Sequence, residues 1–140
     1  MFERRQILRI LLLSCGLYYF IAAFAHFFGL TLFPFYDGAL YSPYHDFLLG
    51  LCDIVFVMIF LVVARDPVKN EDTLNVIIIG FVLVILGNLG IIWKIDFTAL
   101  GSSYKFSETI VETILALGAL GGILFLRPTS KNNGKHDRKF

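Results

Sequence analysis

The sequence predicts an all-α fold, a four-helix transmembrane bundle with both termini cytoplasmic. Three observations predict it. The chain has 140 residues, of which 57% are hydrophobic and 16% charged, far from the balance of a soluble domain. Four apolar stretches, each near the roughly 20 residues a membrane helix needs, use most of residues 1–128. Basic residues cluster on alternate sides of these stretches, as topology requires.

The first helix is expected over about 7–30. It begins with Arg4, Arg5 and Arg9 and runs apolar to Leu30. Its basic start and Ala23-Phe24-Ala25 resemble a secretory signal with its cleavage site, and Leu12-Leu13-Ser14-Cys15 resembles a lipoprotein box. The apolar run continues past both, so a retained span is expected. The second helix is expected over about 43–64. Ser42 suits its N-cap and Pro43 its first position, where a missing N–H costs nothing. Arg65-Asp66-Pro67 ends it. The third helix follows a polar turn and is expected over about 74–93. The fourth is expected over about 107–126, closed by Pro128, with Ser107 at its start. Residues 129–140 form a polar cytoplasmic tail. No internal repeat or low-complexity segment interrupts this single domain.

Orientation follows from the cations. Arg4, Arg5, Arg9, Arg65, Lys69, Arg127, Lys131, Lys135, Arg138 and Lys139 fall on one side, and only Lys94 and Lys105 on the other. The positive-inside rule puts both termini in the cytoplasm. The 31–42 loop then faces outward with Phe33, Phe35, Tyr36 and Tyr41, followed by Tyr44. These aromatics read either as an interfacial belt or as a lid over a site beneath it.

Polar residues inside the spans carry the functional signal, because ionisable groups in a membrane are costly. His26, Asp46, Asp53, Asn88, Glu108 and Glu112 all map to the outer half of the bilayer. Asp46 and Asp53, seven residues apart with Gly50 between, share a face. Glu108 and Glu112 share another, continued by Ala116 and Ala119. His26 shares its face with Ala22, Tyr19 and Cys15. Turned inward, these stripes would line an outward-facing acidic pocket. Each of the six has a structural alternative. Asp46 and Glu108 suit first turns of helices, where a carboxylate meets the positive end of the dipole. Glu112 could close a capping box with Thr109. Asn88 suits helix–helix hydrogen bonding, and His26 could bond a loop carbonyl. Asp53 has no capping role, its structural alternative is a buried partner for Asn88 or Tyr19, and it is the strongest single candidate.

Clustered carboxylates repel one another, so a cation or a proton is expected among them. The leading expectation is a membrane protein binding a small molecule or cation, with Asp53 and Glu112 as the charged core. An enzyme of the isomerase or redox type, using a protonated carboxylate and His26 as acid and base, is the alternative. A structural subunit of a larger membrane complex is the third reading. No tight metal site is predicted, because no Glu/His pair at helical spacing appears. No cofactor motif or phosphate loop is present, and no basic surface suits nucleic acid. Cys15 and Cys52 read as small hydrophobes. Gly118 with Gly122, and Gly80 with Gly87, read as helix-contact seams, one of which could serve a homodimer.

Arg9, Gly16, Phe20 and Ala25-His26-Phe27 resemble the first helix of DoxX-like four-helix membrane proteins. Helix number, size and the placement of both termini are similar too. The resemblance implies a bacterial inner-membrane protein, in a family sometimes associated with redox or quinone-linked partners. It carries architecture here and no catalytic residue, since this chain has neither a cysteine pair nor a cofactor motif for redox chemistry.

Overall fold

The computed structural model describes residues 3–32, 36–99 and 104–127. Among these residues are four α-helices: α1 (Arg4–Phe28), α2 (Pro43–Arg65), α3 (Glu71–Lys94) and α4 (Tyr104–Leu126). A short 3-10 turn, Gly38–Leu40, precedes α2. All four helices are long and apolar enough to cross a membrane. The tail from residue 128 onward, expected to be polar and cytoplasmic, lies outside the described residues, as do Phe33 and Phe35 of the aromatic loop.

The helix ends show where hydropathy and backbone chemistry part. The apolar run continues to Leu30, but α1 stops at Phe28 because Gly29 turns left-handed at φ 61°. The Gly29 and Leu30 N–H groups then both bond the Ala25 carbonyl, which closes the helix. Gly29 also lies beneath the Tyr41 ring, where a Cβ would stand 2.9 Å from a ring carbon. At the start of α2, Ser42 occupies the N-cap position but its hydroxyl makes no cap bond and meets His45 Nδ1 at 3.0 Å instead. The Asp46 carboxylate reaches back to the Ser42 N–H and does the capping work.

α3 and α4 each begin three residues before their apolar runs. The earlier start of α4 changes the reading of two carboxylates. Glu108 is the fifth residue of the helix, beyond the first turn, so the dipole does not account for it. Thr109 lies in the second turn and donates its hydroxyl back to the Lys105 carbonyl at 2.8 Å. It therefore makes no capping box with Glu112, which is an interior residue of a full-length span.

α1 packs closely on α2, and α3 on α4, while α2 and α3 scarcely touch. The apolar core fills the end of the bundle near the N-terminus. Leu8, Leu12, Val63, Leu74 and Ile123 are buried there, and Phe60 crosses from α2 to Phe81 of α3 with ring centroids 6.2 Å apart. Gly16 lets α1 approach Phe60, and Gly122 lies where a Cβ would meet Leu11 at 2.8 Å. Gly122 thus serves a contact within the bundle. Gly80 and Gly87 have no neighbour a Cβ would meet.

Charged residues tie this same end together. Arg9 Nε donates to the Ala64 carbonyl at 2.9 Å, satisfying one of the four carbonyls that α2 leaves open. Arg5 pairs with Asp66 at 3.0 Å and Arg127 with Glu71 at 2.9 Å. The Lys69 backbone N–H, helped by Arg5, holds the Asp66 carboxyl below its usual range. That favours the fold at neutral pH, and the contribution is lost as pH falls through the depressed value.

Gly50 marks the tightest crossing at the opposite end, where α1 leads into α2. A Cβ there would stand 2.6 Å from the Phe27 ring, which itself packs on Phe47 at 5.4 Å. Gly50→Leu is therefore expected to destabilise the protein by about 2 kcal/mol through overpacking. Thermal unfolding in detergent checks this, and unchanged unfolding would show that Phe27 yields freely.

Candidate functional site

The site is built where the last turn of α1 meets the first turns of α2. Side chains on a helix lean toward its N-terminus. In this antiparallel pair, His26 leans down into the bundle and Asp53 leans up toward it. Their side chains converge although Asp53 is two turns deeper along α2 than Asp46.

His26 Nδ1 lies 2.7 Å from Asp46 Oδ1. The same oxygen accepts the Tyr36 hydroxyl at 2.8 Å, and Oδ2 accepts the Ser42 N–H. Asp46 is thus an acceptor for three segments at once: α1, the loop and its own N-terminus. A carboxylate so placed requires the proton on Nδ1 of His26. Nε2 then faces Asp53 Oδ2 at 4.0 Å. Asp53 Oδ2 is buried and has no hydrogen-bond partner among the described residues.

Tyr36 reaches the site because the loop folds inward. Leu32 and Tyr36 exchange two backbone hydrogen bonds, at 2.8 and 2.9 Å, in an isolated antiparallel bridge. This lays the Tyr36 ring edge-on against His26, centroids 4.6 Å apart. Burial, then the Asp46 hydrogen bond, push the Tyr36 phenol up, so it remains a donor across the physiological range. Of the two readings of the aromatic loop, Tyr36 fits the lid, whereas Tyr41 and Tyr44 are exposed. Lys105 Nζ lies 5.5 Å above the Tyr36 ring and 2.9 Å from both oxygens of Glu108.

Beneath this polar cap lies a cavity of about 960 Å³, within the range of organic-ligand sites. It extends along α1 from His26 to Leu11 and is walled by side chains from all four helices. Its walls are mostly apolar, with Ser14 deep in the cavity and the other polar groups toward the cap. There Glu112 Oε1 faces the Tyr18 hydroxyl at 3.4 Å, and Tyr19 packs on Phe56 with centroids 5.1 Å apart.

Four of the six sequence candidates, His26, Asp53, Glu108 and Glu112, line this cavity together. Asp46 stands behind His26 and orients it without lining the space. Asn88 is not on the lining, and its Nδ2 is buried without a partner among the described residues. The stripe Cys15, Tyr19, Ala22 and His26 faces the cavity as a unit. Tyr36 was read from sequence only as one of the loop aromatics, and Tyr18 and Lys105 were not read as site residues. Tyr18, a phenol midway along an apolar helix, was a usable signal. Lys105 with Glu108 at i, i+3 was another, hidden because hydropathy puts the helix start three residues too late. Among the described residues, no three His, Cys, Asp or Glu side chains converge as a metal site.

Four helices able to cross a bilayer, enclosing a cavity with an ionisable end, are the architecture of a multi-pass membrane protein. No protein family, curated protein or solved structure matches the chain.

Proposed function

We propose that this is an integral membrane protein that binds a small amphipathic molecule in the cavity between its helices. The head group sits between His26 and Asp53, and the apolar body lies along α1 and α4. With both termini cytoplasmic, as the basic residues suggest, the acidic end faces outward. The likeness to DoxX-like proteins extends this reading to a bacterial inner membrane.

One observation carries the proposal. Asp53 Oδ2 is buried at the edge of a cavity of about 960 Å³ and has no hydrogen-bond partner among the described residues. Burying a carboxylate without a partner costs several kcal/mol. A head group that donates to it removes that cost, and the apolar walls hold the remainder.

The test is thermal unfolding of the detergent-purified protein against single-chain amphiphiles that differ only in head group. At least one should raise the unfolding temperature of the wild type, because binding to the folded state alone stabilises it. Asp53→Asn and Glu112→Gln should abolish that response. If no amphiphile shifts the wild type, or both variants respond as it does, the cavity is not a binding site.

A second reading has its own observation. Asp46 holds His26 by Nδ1 at 2.7 Å and leaves Nε2 facing the cavity, the way a carboxylate orients a general base. An isomerase-type proton transfer on the bound molecule is the chemistry this would serve. It requires a turnover whose pH dependence disappears in His26→Gln.

A further inference from the structure

We propose that the head group taken by the cavity is an amine, a primary or secondary ammonium donating to His26 Nε2 and Asp53 Oδ2 together. This rests on the cavity being a binding site, and it adds the chemical class of the ligand.

The first step is the inventory of donors. Asp46 receives the Tyr36 hydroxyl and the Ser42 N–H, both of which can only donate to it. It therefore holds His26 by the Nδ1–H, which leaves Nε2 a lone-pair acceptor whenever the ring carries a single proton. Asp53 Oδ2 is also an acceptor and has no donor among the described residues. Two acceptors thus face each other across 4.0 Å. A nitrogen about 2.9 Å from each would see them roughly 90° apart, close to the angle between two N–H bonds on one tetrahedral nitrogen. A hydroxyl has one hydrogen and leaves one acceptor unmet. A quaternary ammonium has none to give. A carboxylate would be repelled.

Charge points the same way. Glu108 has Lys105, and Asp46 has three donors. Among the described residues, no Lys or Arg pairs with Asp53 or Glu112. Both line the cavity, so a cation between the helices offsets two carboxylates that no Lys or Arg meets among the described residues. Apolar surroundings strengthen that attraction relative to water.

Shape completes the class. The cavity lining runs down α1 from His26 to Leu11, which is about 22 Å at 1.5 Å per residue. Its deep end is apolar apart from Ser14. An amine on one long hydrocarbon chain, dissolved in the bilayer, matches both ends.

The experiment uses the full chain in detergent with dodecylamine, dodecanol, dodecyltrimethylammonium and dodecanoate at equal mole fraction. Dodecylamine is expected to raise the unfolding temperature of the wild type, and the other three to do so little. Asp53→Asn is expected to weaken dodecylamine binding at least about tenfold, the worth of one hydrogen bond to a charged group. The head-group series needs only wild-type protein, so it stands even if the variant folds poorly. If dodecanol or dodecyltrimethylammonium stabilises as well as dodecylamine, the paired-acceptor assignment is overturned while the cavity remains a binding site. The same holds if dodecanoate is preferred, or if Asp53→Asn binds dodecylamine as the wild type does. If no probe stabilises the protein, the amine and the binding site fall together.

Discussion

Asp46→Ala is expected to lower the stability of the protein by about 3–5 kcal/mol, because three donors lose one shared acceptor and each unmet group costs about 1–3 kcal/mol. The size follows from what the carboxylate holds. His26 Nδ1, the Tyr36 hydroxyl and the Ser42 N–H all turn to it. Tyr36 is 5% exposed and Asp46 likewise, so water cannot replace the lost acceptor without the loop lifting off. Alanine would leave a half-buried imidazole and a buried phenol unmet at the same moment. Two milder changes calibrate the result. Tyr36→Phe removes one donor and is expected to cost about 1 kcal/mol, the net worth of an ordinary hydrogen bond. Asp46→Asn keeps one carbonyl acceptor but adds two N–H donors beside existing donors, so it should fall between. Equilibrium unfolding in a denaturing detergent reads all three. An Asp46→Ala loss no larger than that of Tyr36→Phe would mean that the carboxylate is one contact among many and not the junction of three segments.

The fold was legible because its signals are local. Hydropathy marks the spans, and Pro43 and the 65–67 break mark ends that sequence alone can locate. Helix ends were less legible where polar residues continue the helix. Tyr104 to Phe106 look like loop by hydropathy yet extend α4 by most of a turn, and with them moves the role of Glu108. Face and depth were enough to gather His26, Asp53, Glu108 and Glu112, because residues that lipid rejects turn inward. They were not enough for Asn88. The rotation of α3 is set by its packing on α4, since α2 scarcely touches it, and no repeat within α3 encodes that choice. Tyr36 was hidden for another reason. An aromatic loop residue at a membrane surface suits the interface, and only the backbone bridge between Leu32 and Tyr36 turns it inward. The pairing of His26 with Asp46 needed adjacency of α1 and α2, which short antiparallel connections made plausible but spacing could not specify.

Lys105→Met is expected to cost about 3 kcal/mol, the lower end of the cost of leaving a buried charge unpaired. The competing view is a surface ion pair, worth about 0–1 kcal/mol. Burial separates the two. The Lys105 side chain is 26% exposed, but that of Glu108 is only 9% exposed and lies on the cavity wall. Losing the ammonium strands a carboxylate that water reaches poorly, beside Asp53 and Glu112, which already lack a cation among the described residues. Methionine keeps most of the apolar stem, so the loss reports charge rather than packing. Glu108→Gln alone should cost less, because it removes the charge that needs a partner. The double variant should then recover most of what Lys105→Met loses, giving a coupling energy near 2 kcal/mol in a double-mutant cycle. Additive losses would mean that the two residues act separately, as an exposed pair would. Strong coupling would make Lys105 the cation that allows Glu108 to stand in the cavity wall, and would leave Asp53 and Glu112 as the charges open to a ligand.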